Sequence, residues 1–281
     1  MTAPRVLMTG IQFGESPRWH DGRLWFCDWA GQTIHALDLD GTDELIATIE
    51  SFPFCIDFLP DGRLLVVHSA DQKVLSREAD GTFDTRADLG GLSEHPWNEV
   101  TTDRRGNAFV NNLGFDFAGG EPAPGFIVVV TPDGEVRRVA DDVWFPNGMV
   151  VTPDDSTLIV GESYGSCLTA FDVGADGTLA NRRTWAPLGD DHPDGICIDV
   201  EGAIWYADVG SKHCVRVAEG GEVLETIPLD RGAFSCALGG PDLRQLFVVA
   251  TEWDPMSIGV GEPTGQIQVV DVDVPGVPRS G

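Results

Sequence analysis

No stretch of this chain is apolar for long enough to cross a bilayer. The longest plainly apolar run is Phe126-Ile127-Val128-Val129-Val130, against the ~20 residues that a membrane-spanning helix needs. Basic residues are scarce: 18 Lys+Arg stand against 45 Asp+Glu in 281 residues, a formal net charge of −27. Such a chain repels phosphate backbones and anionic headgroups, which argues against nucleic-acid and membrane-surface roles. Cys-x-x-Cys pairs are missing. The six cysteines, at 27, 55, 167, 197, 214 and 236, fall mostly inside apolar runs and read as reduced core thiols. The first eight residues carry no apolar leader core, so secretion is not expected and a cytoplasmic location is. Disorder is excluded by a hydrophobic content of 42%. Helical periodicity is rare, and no Ser-His-Asp triad is readable.

Short β-rich runs separated by turn signals fill the chain instead. One unit recurs: an apolar strand, a turn, a second apolar strand. Ser16-Pro17-Arg18-Trp19-His20-Asp21-Gly22-Arg23-Leu24-Trp25 is the first copy, and Cys55-Ile56-Asp57-Phe58-Leu59-Pro60-Asp61-Gly62-Arg63-Leu64 the second. Others begin near Asn98, Asn147, Asp194 and Ser235. A spacing of roughly 40–50 residues is the length of one four-stranded blade. Six copies predict an all-β chain, a six-bladed β-propeller forming a single domain over residues 1–281. The segment Pro4-Arg5-Val6-Leu7-Met8 can supply the outer strand of the last blade, beside Gln266-Ile267-Gln268-Val269-Val270.

One register of the repeat is chemically loaded. Counting back from each turn aligns Glu15, Phe54, Asn98, Asn147, Asp194 and Ser235. Equivalent residues of innermost strands share one height around the axis, so Glu15, Asn98, Asn147 and Asp194 are expected to converge. Two carboxylates and two carboxamides aimed at one point call for a hard divalent cation between them. All-oxygen donors suit Ca²⁺ or Mg²⁺, and positions left open beside the ion suit catalysis. Asn-Gly and Asp-Gly also make ordinary turns, so each pair alone reads as a turn; the shared register is what favours a metal centre.

Gly14-Glu15-Ser16-Pro17-Arg18-Trp19, Phe145-Pro146-Asn147-Gly148-Met149, Pro193-Asp194-Gly195-Ile196-Cys197-Ile198-Asp199, Asn181-Arg182-Arg183 and Phe234-Ser235-Cys236-Ala237-Leu238-Gly239-Gly240 together resemble the senescence-marker-protein, gluconolactonase and luciferin-regenerating-enzyme family. The resemblance covers nearly the whole chain. It implies a six-bladed propeller with Ca²⁺ in the tunnel, or Mg²⁺, Mn²⁺ or Zn²⁺ in its place. It puts the metal ligands on Glu15, Asn147 and Asp194, with Asn98 near both metal and substrate. It implies a lactone-opening hydrolase acting on a small molecule, with Asp194 as the catalytic residue that orients or deprotonates water. Related propellers hydrolyse organophosphates, so a phosphotriesterase-like hydrolase is the second reading and a non-catalytic, metal-stabilised binding propeller the third. Family members that take sugar lactones often carry Arg two residues before the substrate-side Asn. Here the run is Pro96-Trp97-Asn98, which points to a less polar lactone or ester.

Around the expected mouth, hairpin geometry brings the ends of the second strands: Asp28, His68, Asn112, Glu162, Asp208 and Thr251. Asn98, Asn112, Trp97, Trp144, Phe145 and His192 are the expected substrate contacts, with His95, Trp29 and Trp253 nearby. The oligomeric state, the particular lactone and the physiological metal have no signature in the sequence.

Overall fold

In the computed structural model, which describes residues 3–117, 119–253 and 261–278, every repeat is a four-stranded antiparallel sheet. The described residues form twenty-four strands and no helix. The innermost strands of blades one to six are Gly14–His20, Phe54–Phe58, Trp97–Thr102, Pro146–Val151, Ile196–Ile198 and Gly232–Gly239. Each meets the innermost strand of the next blade, and the sixth meets the first, so the ring closes around an axis. A hydrogen-bonded strand pair also seals the ring. Arg5–Ile11 pairs antiparallel with Gly265–Asp271, in the register Arg5↔Val269 and Val6↔Gln268, so the sixth blade is built from both ends of the chain. The ring cannot open there without breaking a sheet ladder. No helix among the described residues is long and apolar enough to cross a membrane.

Turn chemistry explains the hairpins at the far end from the site. Gly62, at φ +83°, occupies the left-handed position of the Asp61-Gly62 turn. Blade four replaces that glycine with Asp155, at φ +56°, a residue type that tolerates this conformation.

The core lies in six wedges, one in each gap between blades. Blade faces are apolar on both sides for this reason. The run Phe126–Val130, buried at every position, is the third strand of blade three and packs towards blades two and four at once. All six cysteines are free thiols; Cys27, Cys55, Cys214 and Cys236 are buried.

Candidate active site

Three of the four residues expected on the axis, Glu15, Asn98 and Asn147, lie at interruptions of regular pairing. The register shifts between Glu15 and Arg18, between Trp97 and Val100, and between Pro146 and Met149. A bulge breaks strict alternation and re-aims side chains. Ser16, next to Glu15, accordingly sits at φ +53°.

Gly148 and Gly195, which look like turn residues in sequence, are the points where neighbouring inner strands touch. Gly148 N donates to Asp194 O at 3.1 Å, and Gly195 N donates to Phe234 O at 2.8 Å. A Cβ on Gly148 would lie 2.4 Å from Ile196 N, and one on Gly195 would lie 1.9 Å from Ser235 Oγ. Only glycine allows these backbones to approach, and that approach brings Asn147 and Asp194 together.

Amide groups link the set. Asn98 Nδ2 donates to Pro146 O at 3.2 Å and lies 3.5 Å from Asn147 Oδ1. Asn111 Nδ2 holds Asn147 O at 2.8 Å, and Asn147 Nδ2 reaches Ser163 Oγ at 3.4 Å. Burial pushes the Glu15 carboxyl well above its ordinary range, and the nearby Asp194 and Glu99 charges push it further. Asp194 is raised in the same way, by burial first and then by Glu99 and Asp208, with a hydrogen bond from Asn147 pulling the other way. Asp194 Oδ1 is closed off from water and has no hydrogen-bond partner.

These observations test the residues against a cation. A buried, orphaned carboxylate oxygen, a second carboxylate close enough to repel it, and flanking amide oxygens fit a hard divalent ion. Without one, raised carboxyls make the native state bind more protons than the unfolded chain, whose carboxyls titrate near ~4. That contribution to stability is complete below ~4 and is lost as pH rises towards the folded values. In chelator, Tm is therefore expected to fall between pH ~5 and ~8 more steeply for the wild type than for Glu15→Gln/Asp194→Asn, as read by scanning calorimetry. Equal slopes would remove the electrostatic account.

Beneath these residues lies a charge network with no counterpart in the sequence-based expectation. Glu99 accepts from Arg18 Nη2 at 2.9 Å, Ser16 Oγ at 3.2 Å and Val100 N at 2.8 Å. Arg18 Nε lies 3.4 Å from Asp57, which accepts from Thr102 N at 2.8 Å. Glu99 and Asp57 are buried. Period-two alternation puts Glu99 opposite Asn98; the bulge brings both inward. Asp57 did carry a signal, as a lone charge inside the apolar run Cys55–Leu59.

Second-strand ends brace loops. Asp28 accepts from the backbone N–H of Gln12, Phe13 and Gly31. Asp208 accepts from those of His192 at 2.6 Å and Ser211 at 2.7 Å. Glu162 accepts from Trp144 N, Thr169 Oγ1 and Arg182 Nη2, which gives the Asn181-Arg182-Arg183 motif a structural role. His68 Nδ1 accepts from Asp71 N at 3.1 Å, and Thr251 is buried. Asn112, expected at the substrate, is fully buried and spends its amide on His95 O, Ser93 Oγ and Gly114 N. Trp97 also departs from expectation: its ring is fully buried between blades two and three, edge-on to Phe126 at 5.6 Å. Trp144, Phe145 and His192 do lie at the mouth end; His192 Nδ1 sits 2.8 Å from Ser163 O. His95 is exposed there, and Trp29 is buried with its indole N–H on Phe54 O.

Away from the axis, Asp191, Asp208 and His213 bring potential ligand atoms within 4.8 Å of one another. This group is internally satisfied. Asp191 accepts from Tyr206 Oη at 2.7 Å and Ser211 Oγ at 3.1 Å, and lies 2.9 Å from His213 Nε2.

The fold and its axis define a closed six-bladed propeller with a carboxylate–carboxamide centre. The chain belongs to the SMP-30/gluconolactonase/LRE-like family, whose signature matches residues 13–252. Pentonolactonase XacC of Haloferax volcanii is 28% identical over 294 residues, covering 99% of this chain and 97% of its own. Regucalcin of Xenopus laevis is 27% identical over 280 residues, covering 92% and 93%. The solved regucalcin of Agrobacterium tumefaciens, described as a calcium-binding protein, superposes with a TM-score of 0.82 at 24% identity, over 98% of this chain and 95% of that one. At that identity the superposition speaks for the fold.

Proposed function

We propose that the protein is a divalent-cation-dependent lactonase. The observation that carries this reading is the orphaned, buried Asp194 Oδ1 beside a second raised carboxyl on Glu15. Glu15, Asn147 and Asp194 would hold the cation, with Asn98 beside it. Ca²⁺ suits these oxygens, with Mg²⁺, Mn²⁺ or Zn²⁺ as substitutes. When bound, the cation supplies Lewis-acid polarisation of an ester carbonyl.

The chain's own groups supply the rest. Asn98 and Asn147, fixed by their amide contacts, orient the ring. Asp194 orients water against the carbonyl carbon and takes its proton. The new C–O bond forms as the acyl–oxygen bond of the ring breaks, and the proton passes to the departing ring oxygen. The product is an open hydroxy acid. The names of the family and of the pentonolactonase relative support this reaction class. The described regucalcin supports calcium.

Dialysis against chelator is expected to abolish lactone hydrolysis, with return on adding Ca²⁺ or another divalent ion. Full rates in chelator, with no metal retained by elemental analysis, would overturn the metal requirement. An organophosphate turned over with a higher kcat/KM than any lactone would favour the phosphotriesterase reading.

A further inference from the structure

Two banks of aromatic rings stand at the mouth, above the axial residues. The first spans blades six, one and two. Phe13 lies 5.4 Å from Trp29, 6.3 Å from Phe52, 4.9 Å from Phe234 and 5.9 Å from Trp253, between ring centroids. The second spans blades three and four. Phe145 lies 4.7 Å from Tyr164, 5.8 Å from Phe115 and 6.3 Å from Phe117. In a closed ring of six, blade one faces blade four and blade six faces blade three, so the banks oppose each other across the opening.

Both banks are tied to the centre. Phe13 precedes Glu15 by two residues and Phe145 precedes Asn147 by two. The Phe234 carbonyl holds the amide next to Asp194. Filling gaps between blades accounts for Trp97, Trp29, Phe13, Phe115 and Phe234, which are buried. It does not account for Phe52, Trp144, Tyr164 and Trp253, which are 40–51% exposed. Large apolar side chains left in water around one opening mark a surface that a ligand covers.

Charge narrows the ligand further. Exposed Glu50, Asp71, Glu94, Asp190 and Glu252 lie on loops at this same end. Of the cations at this end, Arg231 is paired with Asp230 at 2.8 Å, and Lys212, exposed on the turn after Asp208, is outnumbered by these carboxylates. A carboxylated or phosphorylated substrate would meet like charge, and the carboxylate formed on ring opening would be driven out.

Building on the lactonase reading above, we propose that the substrate is a neutral lactone bearing an alkyl or aryl group that seats between the two aromatic banks, in preference to a polyhydroxylated sugar lactone. Ring opening consumes only water: one C–O bond forms at the carbonyl carbon and the ring acyl–oxygen bond breaks.

The test uses the full chain in excess Ca²⁺ and three probes: an alkyl δ-lactone, an aryl-fused δ-lactone and glucono-δ-lactone. The apolar probes are expected to exceed the sugar lactone in kcat/KM by about tenfold or more, mainly through KM. Trp253→Ala and Tyr164→Ala remove one well-exposed ring from each bank, with circular dichroism checking that each variant folds. Each is expected to narrow that preference by about fivefold. A second readout needs no turnover: an alkyl δ-lactam should quench tryptophan fluorescence in the wild type and bind more weakly to Trp253→Ala. Hydrolysis of all three probes with the sugar lactone equal or better would overturn this inference and leave the lactonase reading standing. No turnover of any lactone by Ca²⁺-loaded protein would overturn both.

Discussion

Asp194→Asn is expected to lower kcat/KM on a lactone by about 10³-fold, within the 10²–10⁴ that a positioned general base contributes. The substitution keeps the shape and one oxygen donor while removing the charge and the proton acceptor. Its carboxylate sits where three constraints meet: the Gly195–Phe234 hydrogen bond, the Gly148–Asp194 hydrogen bond and the close Asn147 amide. The backbone around it should be undisturbed, because neither glycine contact changes. The loss should appear in kcat at saturating Ca²⁺, with circular dichroism and Tm in chelator near or above wild type, since one of two repelling buried charges is gone. Activity within tenfold of wild type, with full Ca²⁺ occupancy, would remove Asp194 from the reaction.

Arg18→Met has the largest expected effect on stability. The guanidinium is the cation that faces Glu99, at 2.9 Å, and Asp57, at 3.4 Å, and those carboxylates raise its proton affinity despite burial. Methionine approximates its volume but leaves two buried carboxylates uncompensated, which costs about 3–5 kcal/mol. For a chain of this size that corresponds to a drop in Tm on the order of 10 °C. Adding Glu99→Gln to Arg18→Met should recover part of the loss, because it removes one stranded charge; a double-mutant cycle by chemical denaturation measures that coupling. Strictly additive losses would mean that the two groups do not interact.

Much of the architecture was legible because the propeller is a repeat. Six turn signals at blade-length spacing foretold six sheets, and the apolar segment at Arg5–Met8 foretold the closing strand, found paired with Gly265–Asp271. What misled was local chemistry read alone. Asn147-Gly148 and Asp194-Gly195 carry the composition of turns, yet their glycines serve the contact between neighbouring blades. Trp97 and Asn112 lie beside axial positions in sequence but turn into the core and into a loop brace, because adjacent strand residues face opposite ways until a bulge intervenes.

By itself, then, the sequence determined the number of blades and the way the ring is sealed, since both follow from periodicity and apolar patterning, and it set the expectation that Glu15, Asn98, Asn147 and Asp194 share one height. Only the tertiary structure decided that Glu99, Ser16, Arg18 and Asp57 join them beneath, and that aromatic rings from five blades form two opposed banks above. Those placements depend on bulges and on blade-to-blade contacts between residues far apart in the chain. No local pattern encodes them, because each arises only when the ring closes.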